Sequence, residues 1–364
     1  MTNPPEPAQR APEPAANPYR DLPARQFWSR AVRPVDNLRA LHDIYRPRFP
    51  IAGLRVATAG SCFAQHIARA LRRSGFPVID KEPPPRWLTA EDARALGYLQ
   101  YSARHGNIYT ARLLLQLVRE ALGEWQPTDP VWRKGDRFHD ALRPQVEPDG
   151  LASPEEVLLH RRHHLERFRM VLEECDLFIF TFGLTETWMN TDGQVYSSAP
   201  GVEAGSYDPS RHVFKNFDYV EVLEDFMAFR QIMRDLNPAV KFLVTVSPVP
   251  LAATAADRHV LTATIRSKSV LRAVADRLYE TCEDVDYFPS YDMLSSPFLG
   301  PSLFEANKRD VSPAAVRLVM KTFLAAHLVG EGEQPAAAPK RPSARRHRAE
   351  DPACEEALLD AFAP

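Results

Sequence analysis

Between Leu54 and Ala326 the chain alternates short, unbroken apolar runs with longer stretches in which apolar residues recur every three or four positions. The runs LRVATA (54–59), LFIFTF (177–182) and VKFLVTV (240–246) have the length and composition of strands buried on both faces. Phe63, Ile67, Ala70 and Leu71 follow the first run at helical spacing, so a strand turns sharply into a helix at Gly60-Ser61-Cys62. The helical patterns LERFRMVLEE (165–174) and EDFMAFRQIMRDL (224–236) precede the second and third runs. A helix over Ser267 to Cys282 leads into a shorter strand, VDYF (285–288), and Ser312 to Ala326 reads as a closing helix with Pro313 in its first turn. Helices between buried strands predict an α/β fold, a three-layer α/β/α arrangement around a doubly wound parallel sheet. Ligands on such sheets bind where the strands end.

The ends of the chain break the pattern. Residues 1–26 are rich in Pro and lack apolar periodicity, which predicts a disordered arm. The core domain spans 27–330, with helical insertions and loops over about 81–166 shaping a pocket above the strand ends. A basic, Pro- and Ala-rich linker is expected over 331–352. The acidic tail 353–364 puts Leu358, Leu359 and Phe362 near one helical face, as in a short helix that docks on a protein partner or on its own domain.

Composition narrows the function. Lys and Arg number 45 against 47 Asp and Glu, a net charge of −2, so neither nucleic acid nor an anionic membrane is an expected partner. A small-molecule or glycan substrate fits better. The chain has no apolar stretch of membrane-spanning length and no signal-peptide core, and a cytoplasmic location is the expectation. Its four cysteines are widely spaced, which argues for thiols rather than disulfides or a zinc site. Gly60 is a lone glycine with no nucleotide-binding pattern around it, so a transferase acting on a nucleotide-activated substrate is the weakest expectation, and no cofactor is expected.

The motif Gly60-Ser61-Cys62-Phe63-Ala64 resembles the signature of the GSCFA family. Further blocks are similar to that family in order: Gly106-Asn107-Ile108-Tyr109-Thr110, Thr181 to Trp188, Thr245 to Pro250, Ser267 to Arg272 and Tyr287 to Tyr291. The family resembles in turn the SGNH, or GDSL-like, hydrolases, which implies a flavodoxin-like α/β/α fold and chemistry on acyl esters, often of glycans. In that pattern Gly60 matches the glycine of the Gly-Asp-Ser motif, Ser61 its aspartate and Cys62 its nucleophilic serine. A thiol there would carry the acyl group as a thioester, with the following helix N-terminus favouring the thiolate. Ser61 is the alternative nucleophile, or a helix cap.

The resemblance also suggests where the oxyanion is held. Gly183-Leu184-Thr185-Glu186 stands where the family pattern has Gly-x-Asn-Asp, which makes Thr185 one candidate donor and Asn107 another. Glu186 is a candidate for binding a substrate hydroxyl or orienting a histidine. The histidine of the usual Asp-x-x-His is missing; Asn307 to Asp310 occupies that stretch, with Asp310 in the histidine's place and Asn307 in the aspartate's in one register, and Ser312 and Arg309 there in another. A base from elsewhere would be His259, beyond the loop that begins at Ser247, or His66, one helical turn after Cys62. His160, His163, His164 and His212 have no acidic companions at zinc-ligand spacing and read as surface or pocket polarity. Lys268 and Arg272 share a helical face as a solvated basic patch or an anion receiver. The expected function is that of an esterase or O-acyltransferase. The alternative is a degenerate module that binds a carbohydrate or protein without turnover.

Overall fold

The computed structural model describes residues 17–300 and 303–328. The linker, the acidic tail with Cys354, and residues 1–16 of the arm lie outside the described residues; Ala24–Gln26 forms a single 3-10 turn. Each long apolar run is a strand: β1 at Val56–Gly60, β4 at Leu177–Phe182 and β7 at Lys241–Val246. With β8 at Val285–Tyr287 they make a four-stranded sheet of order β1-β4-β7-β8 in which every pairing is parallel. Two antiparallel pairs stand apart from it, β2 (Val131–Lys134) with β3 (Arg137–Asp140), and β5 (Glu186–Asn190) with β6 (His212–Asn216).

Helices cover both faces of the sheet, as the continuous burial of its strands requires. The helices among the described residues are α1 (Trp28–Ala31), α2 (Ala64–Arg73), α3 (Ala90–Ala95), α4 (Ala111–Ala121), α5 (Pro154–Glu174), α6 (Tyr219–Leu236), α7 (Val260–Thr281), α8 (Ser290–Ser295) and α9 (Pro313–Leu328). Alternation along β4 divides the core. Phe178, Phe180 and Phe182 face α4, α5, α6 and α7, while Leu177 and Ile179 face α2, α8 and α9. The protein is a doubly wound α/β/α sandwich.

Local signals account for the helix starts. Thr110 accepts from the Leu113 N–H and caps α4. Ser153 caps α5 ahead of Pro154, and Asp218 with Glu221 closes a capping box on α6. Helix α7 begins seven residues earlier than the apolar pattern indicates, because His259 caps it and Val260-Leu261-Thr262 adds turns whose outer residues stay exposed. Neither antiparallel pair is announced by periodicity, since their four- and five-residue strands mix charged and apolar side chains.

Three polar side chains are held by partners distant in the chain or by burial. His164 is fully buried, and its Nδ1 lies 2.6 Å from Glu82 Oε2, an acidic companion supplied from 82 residues earlier in the chain. Lys268 is 1% exposed and so is not part of a solvated basic patch. Arg272 is bonded to Asp292 and Asp276.

Candidate functional site

The end of β1 is built by one close approach. Gly60 has φ +137°, and a Cβ there would lie 2.5 Å from the Thr181 carbonyl oxygen and 2.7 Å from its nitrogen. Only glycine fits. The Ser61 N–H then donates to that same carbonyl at 3.1 Å. Three successive i→i+3 bonds follow, Ala64 N to Ser61 O, Gln65 N to Cys62 O and His66 N to Phe63 O. This tight turn seats the buried Cys62 at the entry to α2, where the helix presents its positive pole. The Ser61 hydroxyl is buried and caps nothing; it has no partner among the described residues.

A strap over Asn107 to Tyr109 ties the ends of β1 and β4 together. Ile108 N donates to Gly60 O at 2.9 Å, while Gly183 N and Leu184 N both donate to Tyr109 O at 3.0 Å. Gly183 is packed so closely that a Cβ on it would stand 3.0 Å from both Ser61 Cβ and Tyr109 Cδ1. The Asn107 side chain is held from three sides. Its Oδ1 accepts from Tyr101 Oη at 2.5 Å and from Gln65 Nε2 at 3.3 Å, and its Nδ2 donates to Tyr109 Oη at 3.2 Å. Tyr101 Oη is also 3.0 Å from Ser61 O. Lys268 reaches in from α7 and donates from Nζ to Gly183 O at 2.7 Å. Gly60, Ser61, Cys62, Asn107 and Gly183 thus form one constellation, joined by Tyr101 and Gln65, which no motif marks, and by Lys268, which the sequence offers only as part of a basic helix face or an anion receiver.

Thr185 and Glu186 lie one step further from the sheet. The Thr185 hydroxyl donates to Asn216 Oδ1 at 2.8 Å and its N–H donates to Ser267 Oγ at 3.0 Å, so the residue holds β6 and α7 against the end of β4. Arg266 Nη1 also bonds Asn216 Oδ1. Glu186 accepts from Asn216 Nδ2 at 3.1 Å and from Thr254 Oγ1 at 2.8 Å. Burial raises the Glu186 carboxyl above the ordinary range, opposed by the Thr254 hydrogen bond and by Arg266 and Arg258. Ser247 is buried after β7, donating from N to Phe182 O at 2.8 Å and accepting from Val249 N at 3.3 Å.

Each candidate base has a local partner of its own. His259 is exposed, and its Nδ1 accepts the Leu261 N–H as the cap of α7. Asp310 sits in an exposed turn where Asn307 Nδ2 donates to its Oδ2 at 2.8 Å. His66 is half-buried with Nδ1 3.2 Å from Arg69 Nη2, and burial together with the Arg69 charge pushes its pKa down to about 3. Among the described residues no group of His, Cys, Asp and Glu is arranged to hold a metal ion. None of their helices is long and apolar enough to cross a membrane.

A cavity of about 260 Å³ opens beside the strap. Tyr109 and Leu184 form its inner wall, Trp188 and Phe214 come from the β5–β6 pair, and Leu251 and Glu186 complete the lining near the site.

The profile of the GSCFA family matches residues 55–323. No curated protein matches the chain in sequence. Two solved structures are similar to it at low identity. One is a carbohydrate esterase of family 3 from Talaromyces cellulolyticus, with 8% identity and a TM-score of 0.36 over 74% of this chain and 94% of that one. The other is an acetyl xylan esterase from the rumen bacterium Butyrivibrio proteoclasticus, with 12% identity and a TM-score of 0.29 over 76% of this chain and 64% of that one.

Proposed function

The chain belongs to the GSCFA family, and from the way it builds the end of β1 we propose that it is an acyl-ester enzyme with Cys62 as nucleophile. The observation that carries this reading is the turn itself: Gly60 pressed on Thr181 sets a buried thiol at the positive pole of α2. Lys268, bonded to the Gly183 carbonyl, adds positive charge at the same strand end, which favours thiolate over thiol. The thiolate attacks the ester carbonyl. The C–O bond breaks, the leaving alkoxide takes a proton from solvent, and the acyl group stays on Cys62 as a thioester. Water, or the hydroxyl of a glycan or glycan precursor, then attacks the thioester, gives up a proton to solvent, and returns the thiolate. The tetrahedral oxyanion of both steps is stabilised by the Asn107 amide, which Tyr101 and Gln65 hold in place.

A steady-state assay of the full chain on aryl acyl esters tests this. Cys62→Ala should abolish turnover, and Ser61→Ala should retain at least about a tenth of it. Loss in Ser61→Ala alone would move the nucleophile by one residue. The second reading, a carbohydrate- or protein-binding module that turns nothing over, draws on Asp310, which Asn307 holds in an exposed turn. It predicts no turnover with any ester.

A further inference from the structure

We propose that the cavity beside Tyr109 and Leu184 holds the acyl chain of the reacting ester, and that the chain is about eight carbons long rather than acetyl. This rests on the acyl-ester reading above and names its substrate class.

Continuity comes first. Leu184 and Tyr109 wall the cavity, and Gly183, the neighbour of Leu184, packs on both Tyr109 and Ser61. Gly183 and Tyr109 therefore stand between the β1 end and the cavity, and an acyl group whose carbonyl sits at the β1 end would reach this space by running its chain past them. Polarity comes second. Most polar side chains on the wall are engaged with the protein, with the half-buried Ser198 as the exception: Glu186 with Thr254 and Asn216, Thr187 Oγ1 with Tyr196 O at 2.9 Å, and Thr110 Oγ1 with Leu113 N at 3.2 Å. The Ser197 hydroxyl, which has no partner among the described residues, is itself shut off from solvent. What the wall offers an occupant is the faces of Trp188, Tyr196, Phe214, Leu113, Leu184 and Leu251. A sugar ring there would lose water from its hydroxyls without replacement bonds, whereas a hydrocarbon chain has none to lose. Size comes third. A water-sized group takes about 30 Å³ in a liquid, so 260 Å³ admits at least about eight such groups. An acetyl group would leave most of the space empty.

The test compares full-chain protein on p-nitrophenyl acetate, butyrate and octanoate, with octanoate binding followed separately by calorimetry. Ala199→Trp and Ala253→Trp, both on the cavity wall, narrow it without touching the β1 end. The expected result is a kcat/KM for octanoyl at least a hundredfold above acetyl, since each buried methylene gives roughly a three- to fourfold gain. That ratio should fall toward one in either tryptophan variant, and octanoate binding should weaken at least tenfold. A flat or declining profile from acetyl to octanoyl would overturn the proposal. If no ester is turned over, calorimetry still decides: octanoate binding that the tryptophan variants abolish supports the occupant, while failure of octanoate to bind the wild type rejects it.

Discussion

Gly60 stands so close to Thr181 that a Cβ would come within 2.5 Å of the Thr181 carbonyl oxygen, the same oxygen that accepts the Ser61 N–H. The turn carrying Cys62 is therefore registered on β4 rather than on its own strand alone. Gly60→Ala must either force β1 and β4 apart or adopt a strained backbone. The expected cost is about 3 kcal/mol or more of stability, measured by denaturant unfolding, with loss of activity even where the variant folds.

Tyr101 bonds the Asn107 side chain and lies within reach of the Ser61 carbonyl. Tyr101→Phe removes one hydroxyl and keeps the ring. The fold should lose about 1 kcal/mol, while kcat falls roughly tenfold with KM little changed, because the amide then wanders from the place where the oxyanion develops. An equal effect on KM alone would point to a substrate-binding role instead.

Arg161 is buried with Asp140 at 2.7 Å and Glu120 as its partners, and Asp140 also accepts from Arg143 Nε at 2.7 Å. Arg143 donates to the Arg104 carbonyl, so this cluster anchors the segment that becomes the Asn107 strap. Arg161→Ala leaves two buried carboxylates short of a cation and should cost about 3–5 kcal/mol. Thermal unfolding measures it directly.

Acid should loosen the same region. Burial, aided by the Arg143 charge, holds His164 down to about 4, and burial holds His105 at about 4. Both fall below the ordinary value near 6.5, so between about pH 6.5 and pH 4 the unfolded chain binds protons that the folded chain refuses. Their stabilisation is fully present above that window and is lost as pH falls through it, on the order of 2 kcal/mol per histidine between pH 7 and pH 5. Urea midpoints at the two pH values provide the check. Constant stability across the window would contradict the buried, neutral state of both rings.

The sheet was readable in the sequence because strands buried on both faces must be apolar throughout, as LFIFTF and KFLVTV are. The strap was readable only as a family block, since its role depends on Ile108 meeting Gly60 and Tyr109 meeting Gly183, contacts between segments more than forty residues apart. Lys268 shows the same limit. Four residues before Arg272 it reads as one half of a basic patch, yet its length lets the ammonium cross from α7 to the Gly183 carbonyl while the stem is buried. The carboxylate beside His164 is hidden from the sequence for a related reason, because Glu82 reaches it from another part of the chain. Thr185 stands where a motif would place an oxyanion donor, and only the folded arrangement shows its hydroxyl spent on Asn216.

The central claim is that the thiol at the end of β1 carries an acyl group. Intact-protein mass after incubation with octanoyl and acetyl aryl esters reads this in one step. The account predicts a single acyl increment on the wild type that is labile to hydroxylamine, kept in Ser61→Ala and absent in Cys62→Ala. An increment that persists in Cys62→Ala, or none on any variant with any ester, would contradict it.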